Sequence, residues 1–171
     1  AKMEPETASA DFDDSELVNF VVDLKRRSIL GQTKVKHAGD RRSYNHESCY
    51  AAWSVQNRFV VQTMSWKWHT EMSELHQIID GKSLSPGTDL LQSAATAAFQ
   101  KLKGQPPLNK FKKQDFAITI AEATFSENAG ETRLTVKVWG QIPKHEDEDA
   151  YFEALVTFEV IAPSQSAKPV L

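Results

Sequence analysis

Cysteine is almost missing from this chain: Cys49 is the only one among 171 residues. An internal disulfide is therefore impossible, and the paired-cysteine spacings of zinc fingers are excluded. Glycine is scarce too. Its seven copies are dispersed, so neither the G-x-G-x-x-G of dinucleotide sites nor the G-x-x-x-x-G-K-[ST] of phosphate loops occurs. "GKS" at 81–83 lacks the upstream glycine that a phosphate loop needs. No G-x-S-x-G elbow anchors serine-hydrolase chemistry, and no H-E-x-x-H supports a zinc protease. Apolar runs such as "FVV" at 59–61 are far too short for a bilayer, so no membrane-spanning segment is expected. No signal or transit segment is visible.

What is present suits one globular domain with a real core: 40% of residues are hydrophobic and the net charge is −3. The expected organisation is an acidic flexible leader over 1–14, a single domain over 15–162 and a flexible tail over 163–171. In the leader, Phe12 and Met3 are the only large apolar residues, too few to offset ordering entropy. In the tail, two prolines are expected to stop strand pairing. The start at Ala1, with a methionine only at Met3, fits a processed mature chain or a trimmed one. The former, with an extracytoplasmic place, is the expectation.

The charges are segregated. Residues 25–42 hold seven of the twenty Lys and Arg against the single acid Asp40, and residues 101–113 add five lysines and no acid. Acids gather in the leader and in "HEDED" at 145–149. Such cations fit an anionic partner or, more simply, two solvated loops.

Element by element, the pattern leads to an α+β expectation. "ELVNFVVDL" (16–24) suits a strand with one wholly apolar face or a helix capped by Asp14 or Ser15, and the cap favours the helix. A short basic strand or hairpin is expected around 33–37. Between Ser43 and Asp80 there is neither Gly nor Pro. Cys49, Trp53, Val60, Met64, Trp68, Met72, Leu75 and Ile79 recur there at spacings of mostly four, which reads as an amphipathic helix ending at Gly81. A strand over 58–68 is the competing reading, on its β-branched and aromatic content. "SPGTDLLQSAATAAFQKLKG" predicts a helix capped by Thr88 or Ser85, with Leu90, Leu91, Ala94, Ala98 and Leu102 inward. Alternation over 115–125, 132–142 and 150–161 predicts an antiparallel meander with one face against helices. The fold class expected is therefore N-terminal and central helices packed on a C-terminal meander of three to four strands.

"SWKWHTEMSELH" (65–76) is the chemically densest stretch. On a helix, His69 and His76 stand about 10 Å apart along the axis, too far to share a metal ion. Glu71 and Glu74 have acid–base potential, but the apolar stripe of a helix explains the stretch without it. His46 and Cys49 supply half of a metal site at most, with His37, His69, His76 and His145 as the remaining histidines. A lone cysteine is more often a small buried hydrophobe. No metal or cofactor is expected. The binding residues expected are Trp66, Trp68, His69, Arg41 and Arg42, with Lys101, Lys103, Lys110, Lys112 and Lys113 meeting an acidic protein partner.

In outline alone, helices followed by a meander resemble the cystatin-like and nuclear-transport-factor-like α+β rolls. Those rolls host enzymes and binding modules and serve extracytoplasmic domains of secretion machines. The functional expectation is a non-catalytic protein-binding or assembly module, part of a larger secretion or transport complex, with a protein partner or a homo-oligomer. One alternative is a small enzyme or ligand binder with a helix–sheet pocket lined by Trp68, His69 and Trp139. The other is a polyanion or nucleic-acid binder, which the net charge of −3 disfavours.

Overall fold

The computed structural model describes residues 17–36, 48–128, 130–143, 150–160 and 168–170, and strands dominate it. β1 (Asn19–Asp23) and β2 (Ser28–Thr33) form a hairpin. β3 (Ser48–Trp53), β4 (Phe59–Trp66), β5 (His69–Ile79) and β6 (Ser83–Leu84) make a central sheet in that order, with β7 (Thr88–Asp89) also paired to β5. Next come α1 (Leu90–Lys101) and a 3-10 turn at Lys113–Asp115. β8 (Ala117–Asn128), β9 (Glu131–Gln141), β10 (Tyr151–Val160) and β11 (Lys168–Val170) complete the third sheet, ordered β11-β10-β9-β8. Every pairing is antiparallel.

The C-terminal meander has the alternation its sequence predicts. Leu134, Val136 and Val138 of β9 and Phe152, Ala154, Val156, Phe158 and Val160 of β10 are buried. On β8 the pattern breaks after Ile120, where a bulge puts Glu122 opposite Lys137. The extra residue moves the next inward position to Ala123. β11 adds a short edge strand within the expected tail. Its Pro169 lies opposite Phe158, and an edge tolerates a residue without an N–H.

The α+β expectation is corrected by the N-terminal half. Leu90–Lys101 is the only α-helix among the described residues, and the expected N-terminal and central helices are strands β1 and β3 to β5. Spacings of four fit two pleats of a strand as well as one helical turn. β4 also hides the period-2 signal, because it is buried on both faces. Phe59 and Val61 enter the main core, while Val60 joins Val21 and Leu30 of the hairpin in a second, smaller one. The chain reverses without a prominent turn motif. Ser54 Oγ accepts from the N–H groups of Arg58 and Phe59, both at 3.0 Å, and Asn57 takes a φ of 53°. Asp80-Gly81, expected as a helix end, is a left-handed pair (φ 51° and 63°) that turns β5 into β6.

The predicted helix is present, capped one residue later than expected: Asp89 accepts from the Gln92 N–H at 2.9 Å. Leu90, Ala94 and Ala98 are buried as the stripe implies, joined by Ala95, Ala97 and Phe99. They share the main core with β4, β5 and the meander, so the helix closes one side of the space between two sheets. No helix among the described residues is long and apolar enough to cross a membrane. The leader over 1–14 lies outside the described residues.

Candidate functional site

The two sheets are stapled at Ile120. Its N–H donates to Thr70 Oγ1 (2.8 Å), and its carbonyl accepts from the Tyr50 hydroxyl (3.2 Å). Burial pushes the Tyr50 phenol above its ordinary value, with the charge of Glu122 adding to the shift and a hydrogen bond to Thr63 opposing it. This staple carries the two-residue turn Lys67-Trp68, between β4 and β5, onto the outer side of the meander. The Trp68 carbonyl accepts there from Thr119 Oγ1 (3.3 Å) and Gln141 Nε2 (3.5 Å).

A cleft of about 390 Å³ results. Even-numbered positions of β9 and β10 fill the core, so Trp139, Tyr151 and Glu153 face outward. Those three, with Lys67, Trp68 and Thr119, form most of the cleft wall. Trp68, Trp139 and Tyr151 are each about half exposed. The Trp139 indole donates to Glu153 Oε2 at 2.9 Å, and Lys137 Nζ binds the same oxygen at 3.0 Å. Lys137 Nζ also stands 5.5 Å from the Trp139 ring centre, and Lys67 Nζ 4.6 Å from that of Trp68. Both indoles therefore carry a cation on a face, a modest attraction at an exposed site. Glu153 fixes the direction of one of them.

The residues expected to bind fall in separate places. Trp68 lines the cleft. Trp66 ends β4, exposed, with its indole donating to the Glu71 carboxylate. His69 opens β5, exposed, and is not among the cleft residues. Arg41 and Arg42 lie outside the described residues. Lys101 ends α1 and donates to the Leu155 carbonyl at 3.0 Å, and Lys113 sits 5.5 Å from the Phe99 ring centre. Lys103, Lys110 and Lys112 are exposed along the same connection. The two basic segments do not share a core. Lys25 to Lys36 belong to the hairpin, whereas 101–113 follow the helix.

Sequence reasoning passed over Tyr151, Glu153 and Lys137. The signal was available in the outward positions of a clean alternation, which are filled by Trp139, Tyr151 and Leu155 where small polar residues are usual.

A second constellation lies on the other face of β5. Glu74 and His76, two residues apart, point the same way and are 3% and 2% exposed. His76 Nδ1 lies 3.0 Å from the Ser85 carbonyl, which can only accept, so this nitrogen carries a proton. Nε2 then faces Glu74 Oε2 at 3.4 Å, out of hydrogen-bond alignment. Lys34 holds Glu74 through its Nζ (3.1 Å) and its backbone N–H (3.2 Å). Gly87 covers the pair. A Cβ there would sit 2.6 Å from the Glu74 carboxylate and 2.8 Å from the His76 ring. The geometry ties β5 to the hairpin strand's end and to the 85–87 segment, and it leaves no room above the two groups for a substrate.

No three His, Cys, Asp or Glu side chains among the described residues are grouped to hold a metal ion. Cys49 is half-buried on β3, and His37, His46 and His145 lie outside the described residues. Comparison with protein-family models, with curated proteins and with solved structures returns no match.

Proposed function

We propose that this chain is a non-catalytic protein-binding module, a part of a larger assembly, and that the aromatic cleft is its contact seat. One observation carries the reading: Trp68, Trp139 and Tyr151 present half-exposed rings to a single cleft. Trp and Tyr dominate the energetics of protein interfaces because they bury much area with little rotamer entropy to lose. The Glu153 bond holds Trp139 ready, which lowers the ordering cost of binding. An apolar side chain of the partner fills the cleft, and Lys67, Gln141 and Glu153 supply a polar rim.

The test is selection of peptides from a displayed library, followed by tryptophan-fluorescence titration. Peptides that bind the native chain and lose at least tenfold affinity against Trp68→Ala/Trp139→Ala support the reading. Equal binding to both proteins contradicts it. A small-ligand reading is kept because about 390 Å³ lies within the usual range of ligand pockets. Enrichment of no peptide, with saturable binding of a small molecule that the double variant loses, would favour it.

A further inference from the structure

One edge of β10 is paired along its whole length and the other along only part of it. The Ile142 N–H donates to the Ala150 carbonyl at 2.9 Å, which sets the phase of the β9–β10 ladder. Even positions of β10 therefore bond to β9, and odd positions turn their N–H and C=O the other way. β11 takes up the odd positions Thr157 and Glu159, opposite Val170 and Lys168 in antiparallel sense. Pro169 fits between them because it lies opposite an even position, Phe158. From Tyr151 to Leu155 the same edge has no strand beside it among the described residues. Exposure follows the pairing: Thr157 and Glu159 are half-buried, whereas Tyr151, Glu153 and Leu155 are exposed. Lys101 Nζ reaches the Leu155 carbonyl at this open stretch. The Leu155 N–H and both backbone groups of Glu153 have no partner among the described residues.

A row of unpaired strand groups is a template for another strand, and β11 shows that this edge accepts one. The open stretch borders the aromatic cleft, since Tyr151 and Glu153 belong to both. The local charge selects the partner. Lys137 neutralises Glu153 at 3.0 Å. Lys67 and Lys101 contact a ring and a carbonyl instead, and neither makes an ion pair among the described residues. We infer that the partner enters as an extended acidic peptide that adds a strand to β10 between Leu155 and Tyr151, antiparallel to it and in line with β11. This rests on the cleft as the contact seat and adds how the partner is held. The N–H of the residue opposite Leu155 displaces the Lys101 ammonium from its carbonyl, and an acidic side chain of the peptide takes that ammonium over. Residues opposite Leu155, Glu153 and Tyr151 turn their side chains to the outer face, beside the exposed Leu155 and Tyr151. Running from Leu155 toward Tyr151, the peptide then delivers an apolar side chain to the cleft.

The experiment uses the full chain and peptides selected on it from a displayed library, read by fluorescence titration and by amide hydrogen exchange. Binding should slow exchange at the Glu153 and Leu155 amides at least tenfold. N-methylation of the peptide should cost at least tenfold in affinity at every second position and little between, because only alternate N–H groups face β10. Leu155→Pro removes an edge donor at an exposed position. It should weaken binding at least tenfold with circular dichroism unchanged, and Lys101→Gln should flatten the salt dependence. Peptides that need Trp68 and Trp139 but tolerate every N-methyl group, with no slowing at Glu153 and Leu155, overturn the strand addition and leave the cleft as contact seat. Peptides that show the N-methyl alternation yet bind Trp68→Ala/Trp139→Ala as well as the native chain support the strand addition and overturn the seat. Affinity indifferent to salt and to Lys101→Gln overturns the acidic partner. Enrichment of no peptide overturns both the strand addition and the seat.

Discussion

His76 and Glu74 share one face of β5 with Nε2 and Oε2 3.4 Å apart, and the bare backbone of Gly87 rests on both. A methyl group at position 87 has no space unless both side chains move. Gly87→Ala should therefore cost about 1–3 kcal/mol in urea melts, the usual range for overpacking. In a Glu74→Ala background the nearest obstacle is gone, and the same substitution should cost clearly less. Equal costs in both backgrounds would show that the contact does not set the packing.

Tyr50 gives the pH dependence. Burial holds its phenol above the ordinary value, so the folded state keeps this proton longer than the unfolded state. Below the ordinary phenol range both states are protonated and the contribution to stability is whole. As pH rises above about 10, the unfolded chain loses its proton first, and stability falls until the folded phenol also ionises. Tyr50→Phe lacks this term. Its melting temperature should fall less than that of the native chain between about pH 9 and about pH 11. Parallel curves would contradict the assignment.

Much of the meander could be read in the residues themselves, because β9 and β10 each bury one face and expose the other. Val60 and Val61 show why β4, offered by its β-branched and aromatic content as a competing strand over 58–68, lost to the helix reading: neighbours in sequence, they are buried in two different cores, so the strand has no exposed polar face to reveal its period. The helix-like spacing from Cys49 to Ile79 is a coincidence of fours across three strands and their turns. Once helix becomes strand, Glu74 and His76 move from separate faces to the same one. The site was half legible. Trp68 and Trp139 were candidates from the sequence, but Tyr151 and Glu153 replace His69 because the Lys67-Trp68 turn lies over the ends of β9 and β10.

Core and cleft should respond to truncation in opposite ways. Phe158 is fully buried in the main core, and Phe158→Ala should lower stability by about 3–5 kcal/mol. Trp139 stands half in solvent, and Lys137 still neutralises Glu153 when the indole is removed. Trp139→Ala should therefore shift the urea midpoint by less than about 1 kcal/mol equivalent. A large loss from Trp139→Ala would make that ring part of the scaffold and remove it from the contact seat.

The most direct measurement is site-specific photo-crosslinking in the native cells, with a benzophenone side chain at Tyr151 and, as a control, at Arg133 on the far reach of β9. The account predicts a discrete protein adduct from position 151 that is absent from position 133 and is lost when Trp68 is changed to Ala. No adduct at position 151, or the same adducts from both positions, would contradict the claim that the aromatic cleft is where this protein meets its partner.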